Sequence, residues 1–355
     1  MKFFTISPYH DHTKVALFEN QNCLWEESQH YEEAELEAFP NLISQEEFRY
    51  GKLLELLSSK GLTPGDIQVF VATGGMLRPL EGGTYAINIL MLEDLLSCKY
   101  GEIPGNLGAP LAHRLATAGN SRYAYVVDPP VVDEMSEVSH MSGLPDMAYR
   151  SVFHALNQRA IAYREAESLG KPYKKCSLVV CHLGQEISIG VHFEGHVTDV
   201  NDIHAGSGPM SLVQSGNVPP AYLVDLCFSG KYTAAELKRL ILQRSGLFGH
   251  LEMSDFDEIV KHARSGDRKI YLVFEAFLQS LVKEIAGAAG VLGGEVDSIV
   301  LTGRMTENEY FRMQLAERLR WISQVVAYPG ENEMRALMEG AVRVLRDIEE
   351  VRTYK

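Results

Sequence analysis

The sequence has no G-x-x-x-x-G-K-[ST] and no G-x-G-x-x-G, so neither a Walker-type phosphate loop nor a dinucleotide fingerprint is available to it. Its five cysteines, Cys23, Cys98, Cys176, Cys181 and Cys227, include no C-x-x-C pair, and their mostly apolar or strand-like settings predict buried free thiols in a reducing cytosol. No apolar run reaches membrane-spanning length, and Phe3-Phe4-Thr5-Ile6 reads as a strand rather than as part of a signal peptide. The expectation is a soluble, cytoplasmic protein without a membrane partner. Basic residues number 33 against 47 acidic ones, a formal charge of -14, and they do not cluster, which argues against a nucleic-acid partner. Low-complexity linkers are also missing. What remains, 355 residues of which 46% are hydrophobic, suffices for two cores.

The most organised stretch is 177–202. Residues 179–182, 187–192 and 197–200 read as three short strands with turns at Gly184 and at Glu194-Gly195, a meander. The same pattern opens the chain at 3–6, 15–18 and 23–26. Each half then carries a later apolar strand ending in Thr-Gly, at Thr73-Gly74 and Thr302-Gly303. Two copies of this order predict a duplicated α/β fold whose halves face each other across a cleft. Residues 124–127 and 325–328 read as further strands. Helical spacing is expected over 44–57, 90–97, 105–118 (begun by Asn106), 131–141, 149–169, 221–228, 234–243, 256–265, 269–292, 310–319 and 333–347. The boundary is placed inside the 149–169 helix, giving domains 1–155, rejoined by 330–355, and 156–329.

Several residues could carry chemistry. Arg78 lies in a loop that also holds Gly74, Gly75, Gly82 and Gly83, a setting for a carboxylate or phosphate clamp or for a surface salt bridge. Asp128 ends a strand before two prolines, as a base, a metal ligand or the cap of a helix at Val131. His182 ends a central strand, suited to an oxyanion or a transferring phosphoryl group, or to a satisfied core position. His10, Asp11 and His12 sit together in the first turn, as metal ligands with a third group such as His182 or His204, or as a solvated turn.

Beyond these, the chain resembles the butyrate kinases, within the acetate and propionate kinase group of the acetate kinase, sugar kinase, Hsp70 and actin fold. The blocks that carry the resemblance include Leu77-Arg78-Pro79 with Gly82-Gly83-Thr84-Tyr85, Asn106-Leu107-Gly108-Ala109, Val127-Asp128-Pro129-Pro130, Phe153-His154-Ala155-Leu156-Asn157-Gln158 and Glu339-Gly340-Ala341. It implies a duplicated actin-like (ribonuclease H-like) ATPase fold. It also implies reversible transfer of the ATP γ-phosphoryl group to a short-chain carboxylate, butyrate or similar, with Mg²⁺. Arg78 with Gly82, Gly83 and Thr84 would hold the carboxylate, Asp128 would assist near the reacting oxygen, and His182 would stabilise the phosphoryl group in flight. Lys14, Gly184, Gly206, Gly208 and Gly303 fall at nucleotide-binding positions, and Glu331 or Glu333 would lie near the metal. The partner implied is a second copy, or an active relative.

Departures from that pattern cluster. The family's Asn-Pro-Gly-Ser-Thr-Ser-Thr-Lys reads Ser7-Pro8-Tyr9-His10-Asp11-His12-Thr13-Lys14, and its His-x-Gly-Gly-Gly reads His182-Leu183-Gly184-Gln185-Glu186. Its Asp-Gly-Glu-Gly-Pro-Phe reads Ala205-Gly206-Ser207-Gly208-Pro209-Met210, and a Thr-Gly-Gly becomes Thr302-Gly303-Arg304. Gln214 stands where the family has an arginine, a group worth about a thousandfold or more in rate at a phosphoryl-transfer transition state. All of these fall on the ATP-phosphate side, whereas the carboxylate side is kept. Two functions follow: a carboxylate kinase with unusual loops, or a catalytically silent paralogue that binds a carboxylate or serves as a structural subunit.

Overall fold

The computed structural model describes residues 1–355. Its strands, in chain order, are β1 (Lys2–Pro8), β2 (His12–Glu19), β3 (Asn22–His30), β4 (Val69–Thr73), β5 (Thr84–Ala86), β6 (Tyr123–Val127), β7 (Ser177–Leu183), β8 (Ile187–Phe193), β9 (His196–Val200), β10 (Ser298–Gly303), β11 (Val325–Pro329) and β12 (Arg352–Thr353). The chain forms two compact units, Met1–Asp133 with Asn332–Lys355, and Glu134–Glu331.

In the first unit the sheet order is β12-β5-β6-β4-β1-β2-β3, and in the second β11-β10-β7-β8-β9. Without the two short strands β5 and β12 the orders are the same. Directions repeat as well: β1 and β7 each pair antiparallel with the next strand and parallel with β4 and β10. The duplication expected from the two meanders is thus present in the fold.

Period-two alternation decides what each strand buries. In β7, Leu178 and Val180 pack with Ile161, Ala162 and Ala166 of the helix Ala155–Ser168, while Val179, Cys181 and Leu183 join Phe274, Phe277 and Leu278 of the helix Arg268–Val291. Because both faces are covered, these strands read as continuous apolar runs. The alternation also places His182 on the face of Ala155–Ser168. In the first unit Phe4 and Ile6 pack with Leu53, Leu57, Leu111 and Leu115, and the helix Glu333–Leu345 lies on the opposite face, where Thr5 Oγ1 meets the Met334 sulfur. Gly340 permits that approach, since a Cβ there would lie 2.4 Å from a Val127 methyl.

Four expectations are corrected. Residues 131–141 are not helical: Val131 O accepts from Leu80 N, Asp133 N donates to Leu80 O at 2.7 Å, and the β-branched Val131 and Val132 are buried by this pairing. The helix expected over 149–169 begins only at Ala155, because Val152 O is held by Ile203 N at 3.0 Å. Asn106 does not begin a helix by capping; it lies in a 3₁₀ turn, Pro104–Leu107, with its side chain turned elsewhere. Cys176 and Cys181 are buried free thiols, but Cys23 and Cys227 are exposed. No helix is long and apolar enough to cross a membrane.

Candidate active site

His182 is the centre of the polar cluster in the second unit. Its Nδ1 lies 3.0 Å from Asn157 Oδ1, its Nε2 faces Glu331 Oε1 at 3.4 Å, and its ring stacks on His154 with centroids 3.7 Å apart. An amide oxygen can only accept, so the Asn157 contact places the hydrogen on Nδ1. Burial holds the His154 imidazole well below its ordinary value, and the nearby His182 and His204 act in the same direction. His154 is therefore a neutral platform under His182, itself fixed through Nδ1 to Ser188 Oγ at 2.8 Å. Gly184 leaves the room these groups need: a Cβ there would lie 3.1 Å from His182 Nε2 and 3.3 Å from Glu331 Oε1.

The loops around this cluster hold side chains rather than open amides. Gln214, 4% exposed, donates from Nε2 to Ile203 O at 2.9 Å and to Glu186 Oε1 at 3.4 Å. Burial pushes the Glu186 carboxyl up, against the opposing pull of His204 and His182. Gly206 and Gly208 both have positive φ, and a Cβ on Gly208 would meet Asn201 Nδ2 at 2.5 Å. Gly303, at φ +91, passes so close to β7 that its Cβ would lie 2.5 Å from Leu183 O; the Arg304 side chain that follows is exposed.

In the first unit Asp128 is 2% exposed with φ 40, a left-handed conformation that aspartate tolerates better than most residues. It caps no helix. Its Oδ1 accepts from Gly83 N at 2.6 Å, its own amide donates to Gly83 O at 3.0 Å, and Arg343 Nη2 stands 3.9 Å from Oδ2. Thr84, just after, is fully buried at the start of β5. Arg78 makes an ion pair, Nη2 to Asp94 Oδ2 at 3.4 Å, and donates from Nε to Tyr354 Oη at 3.2 Å. Tyr354 in turn donates to Asp94 at 2.8 Å, so the buried carboxylate reaches Arg78 directly and through the phenol. Upstream, Asn106 Oδ1 accepts from Met76 N at 2.8 Å and Nδ2 donates to Gly101 O at 2.9 Å, which fixes the loop that delivers Arg78.

The first turn is built around Arg49, whose side chain is fully buried. It donates to Tyr9 O (2.7 Å), His10 O (2.8 Å), His12 O (3.1 Å) and Gln45 Oε1 (2.8 Å). Lys14 is paired with Glu26 at 2.8 Å, and Glu333 accepts from Ser7 Oγ and Tyr9 Oη, both at 2.9 Å. Of the first-turn residues, His12 and Asp11 cluster with His30, whereas His10 is not part of that group.

Arg49, His154, Asn157, Asp94 and Tyr354 went unassigned in the sequence. For His154 and Asn157 a signal existed: they stand three apart at the head of one helix, on the face toward β7. For Arg49 there was none, since an arginine in an amphipathic helix ordinarily faces water.

Residues 133–323 match the profile described as the Acetokinase family. Among solved structures the chain is similar to Porphyromonas gingivalis acetate kinase, with a TM-score of 0.79 at 19% identity, covering 97% of this chain and 99% of that one. It is similar also to Entamoeba histolytica acetate kinase (TM-score 0.73, 15% identity, 96% and 98% covered). A propionate kinase from Francisella tularensis subsp. tularensis SCHU S4 matches with a TM-score of 0.72 at 16% identity, with 95% and 98% covered. At such identities these likenesses speak for the fold, the two-domain actin-like α/β ATPase fold.

Proposed function

This chain belongs to the acetokinase family, and we propose that it is a butyrate-kinase-like protein whose phosphoryl-transfer step is impaired while its carboxylate-binding half is kept. In the reaction of such a kinase a carboxylate oxygen attacks the γ-phosphorus of ATP, the bond to the β–γ bridging oxygen breaks, and ADP and an acyl phosphate leave. Catalysis is then mainly positioning and neutralisation of charge on the transferred group.

The observation that carries the reading is the Gln214–Glu186 contact. Where butyrate kinases have an arginine and a glycine, this chain has a neutral amide held against a half-buried carboxyl group beside the His182 cluster. A carboxylate there opposes a phosphate, and an amide supplies no positive charge. The first turn supports the same view, since Arg49 spends its donors on the carbonyls of Tyr9, His10 and His12.

Mg²⁺ prefers oxygen ligands and keeps several waters. Glu331, on the Nε2 side of His182, or Glu333, which accepts from Ser7 and Tyr9, would be the carboxylate toward such an ion. Mg²⁺ would supply charge neutralisation on the phosphates. The chain's own residues in this reading are Arg78, positioned by Asp94 and Tyr354, with Gly82, Gly83 and Thr84, for the carboxylate; Asp128 near the reacting oxygen; and His182 for the phosphoryl group. Lys14, Gly184, Gly206, Gly208 and Gly303 are the remnants of the nucleotide side. A second copy, or an active relative, is the partner of this reading.

A working kinase is the second reading, favoured by the bond that orients His182 through Asn157. The two separate in thermal unfolding with Mg-ATP or with butyrate, followed by hydroxylamine trapping of acyl phosphate. A ligand that binds the native state raises the midpoint by mass action. A shift with butyrate and none with Mg-ATP is expected; acyl phosphate made at the rate of an ordinary kinase would overturn the proposal.

A further inference from the structure

The hairpin between β1 and β2 carries a constellation that the kinase reading does not use. His12 and His30 are directly opposed in the β2–β3 ladder, with ring centroids 5.0 Å apart. Asp11 precedes His12, and its carbonyl accepts from Tyr31 N at 3.0 Å, which ties the turn to the residue after His30. One ligand atom from each of Asp11, His12 and His30 lies within 4.8 Å of the others. Metal–ligand bonds of about 2.1 Å in a tetrahedral site put ligand atoms about 3.4 Å apart, so side-chain rotations suffice to close on an ion.

Two features hold the ligands in place. The His12 ring is stacked on Tyr9 at 4.5 Å and 6°, and the Tyr9 hydroxyl donates to Glu333 at 2.9 Å. Beneath, Arg49 binds the carbonyls of Tyr9, His10 and His12, so the backbone that presents Asp11 and His12 is anchored by a buried cation. His12 Nδ1 already lies 2.8 Å from Asp11 Oδ1, so two of the ligand groups meet without rearrangement of the backbone. Asp11 and His30 are exposed, so an ion can enter from solvent.

We propose that Asp11, His12 and His30 form a binding site for one divalent transition-metal ion of the zinc type. Two imidazoles and one carboxylate suit a borderline ion such as Zn²⁺ or Co²⁺ and disfavour Mg²⁺ or Ca²⁺, which take oxygen ligands. Three protein ligands leave a position open to water or to an exogenous anion.

The test is titration of chelator-treated full-length protein with Co²⁺, followed by visible absorption, and with Zn²⁺ by calorimetry, both without nucleotide. One equivalent is expected, with the intense d–d bands of low-coordinate Co²⁺. His30→Ala lies on an exposed strand, so it should fold, as circular dichroism would verify, and should weaken binding by about tenfold to a hundredfold or more. His10→Ala, one residue outside the cluster, should bind as the unaltered protein does. Absence of the Co²⁺ bands, or equal binding by the His30→Ala protein, overturns the proposal.

Discussion

Asn157 Oδ1 lies 3.0 Å from His182 Nδ1, and through that contact a helix residue sets which nitrogen of a strand-end histidine carries the hydrogen. Replacing Asn157 with alanine removes the acceptor. The expected cost in stability is about 1 kcal/mol, and the ¹⁵N chemical shifts of His182 should move from those of an Nδ1–H ring to a mixture of tautomers. Unchanged shifts would mean that His182 is oriented by something else.

Arg49→Ala should be among the most destabilising single changes in the first unit. The side chain is fully buried and donates to the carbonyls of Tyr9, His10 and His12; alanine removes that donor from all three, and of these His12 O keeps the Tyr9 amide at 2.8 Å. Unpaired buried groups cost about 1–3 kcal/mol each, so a loss of about 3 kcal/mol or more is expected in urea unfolding. Arg304→Ala, which removes an exposed cation, should stay within about 0.5 kcal/mol.

Acid should destabilise the second unit through its buried histidines. Burial holds His192 down to about 3, with Arg159 acting in the same direction, while it bonds Tyr173 Oη at 2.7 Å and Gln158 at 3.0 Å. Between that value and about 6.5 the unfolded chain takes up a proton that the native state refuses, so stability falls as pH falls, by up to about 1.4 kcal/mol per pH unit for this one group. Glu186, Asp199, Asp202 and Glu284, all raised by burial, act with the opposite sign, since the native state binds their protons first. They are common to wild type and variant. The loss of stability between pH 7 and pH 5 should therefore be smaller in His192→Gln than in wild type; equal slopes would refute the assignment.

Glu186→Gly combined with Gln214→Arg should raise acyl-hydroxamate formation from Mg-ATP and butyrate by at least about tenfold, because it removes a carboxyl group and places a cation beside the His182 cluster. Single Gln214→Arg, with Glu186 still able to neutralise it, should gain less. No gain in the double variant would place the defect elsewhere.

Much of the architecture was legible. The apolar runs at 179–182 and 187–192, and the matching pattern at the start of the chain, predict β7, β8 and their counterparts, because a strand covered on both faces is apolar on both. The site was legible in part. His182 and Asp128 announce themselves at strand ends, but what they touch does not. Val131 and Val132 read as helix until Leu80 is seen to bond the Val131 carbonyl and the Asp133 amide on either side of Val132, and Asp128 then loses the helix it was expected to cap.

By itself the sequence determined the duplicated α/β order, the family, and the presence of Glu186 and Gln214 in the loops that follow β7 and β9. These are statements about residue type and period, which survive without coordinates. Only the tertiary structure decided that Arg49 is buried under the first turn, that Tyr354, at the far end of the chain, holds Arg78 against Asp94, and that His30 stands opposite His12. Each joins residues distant in sequence, and no local periodicity encodes which of many distant partners a side chain will meet once the core has closed.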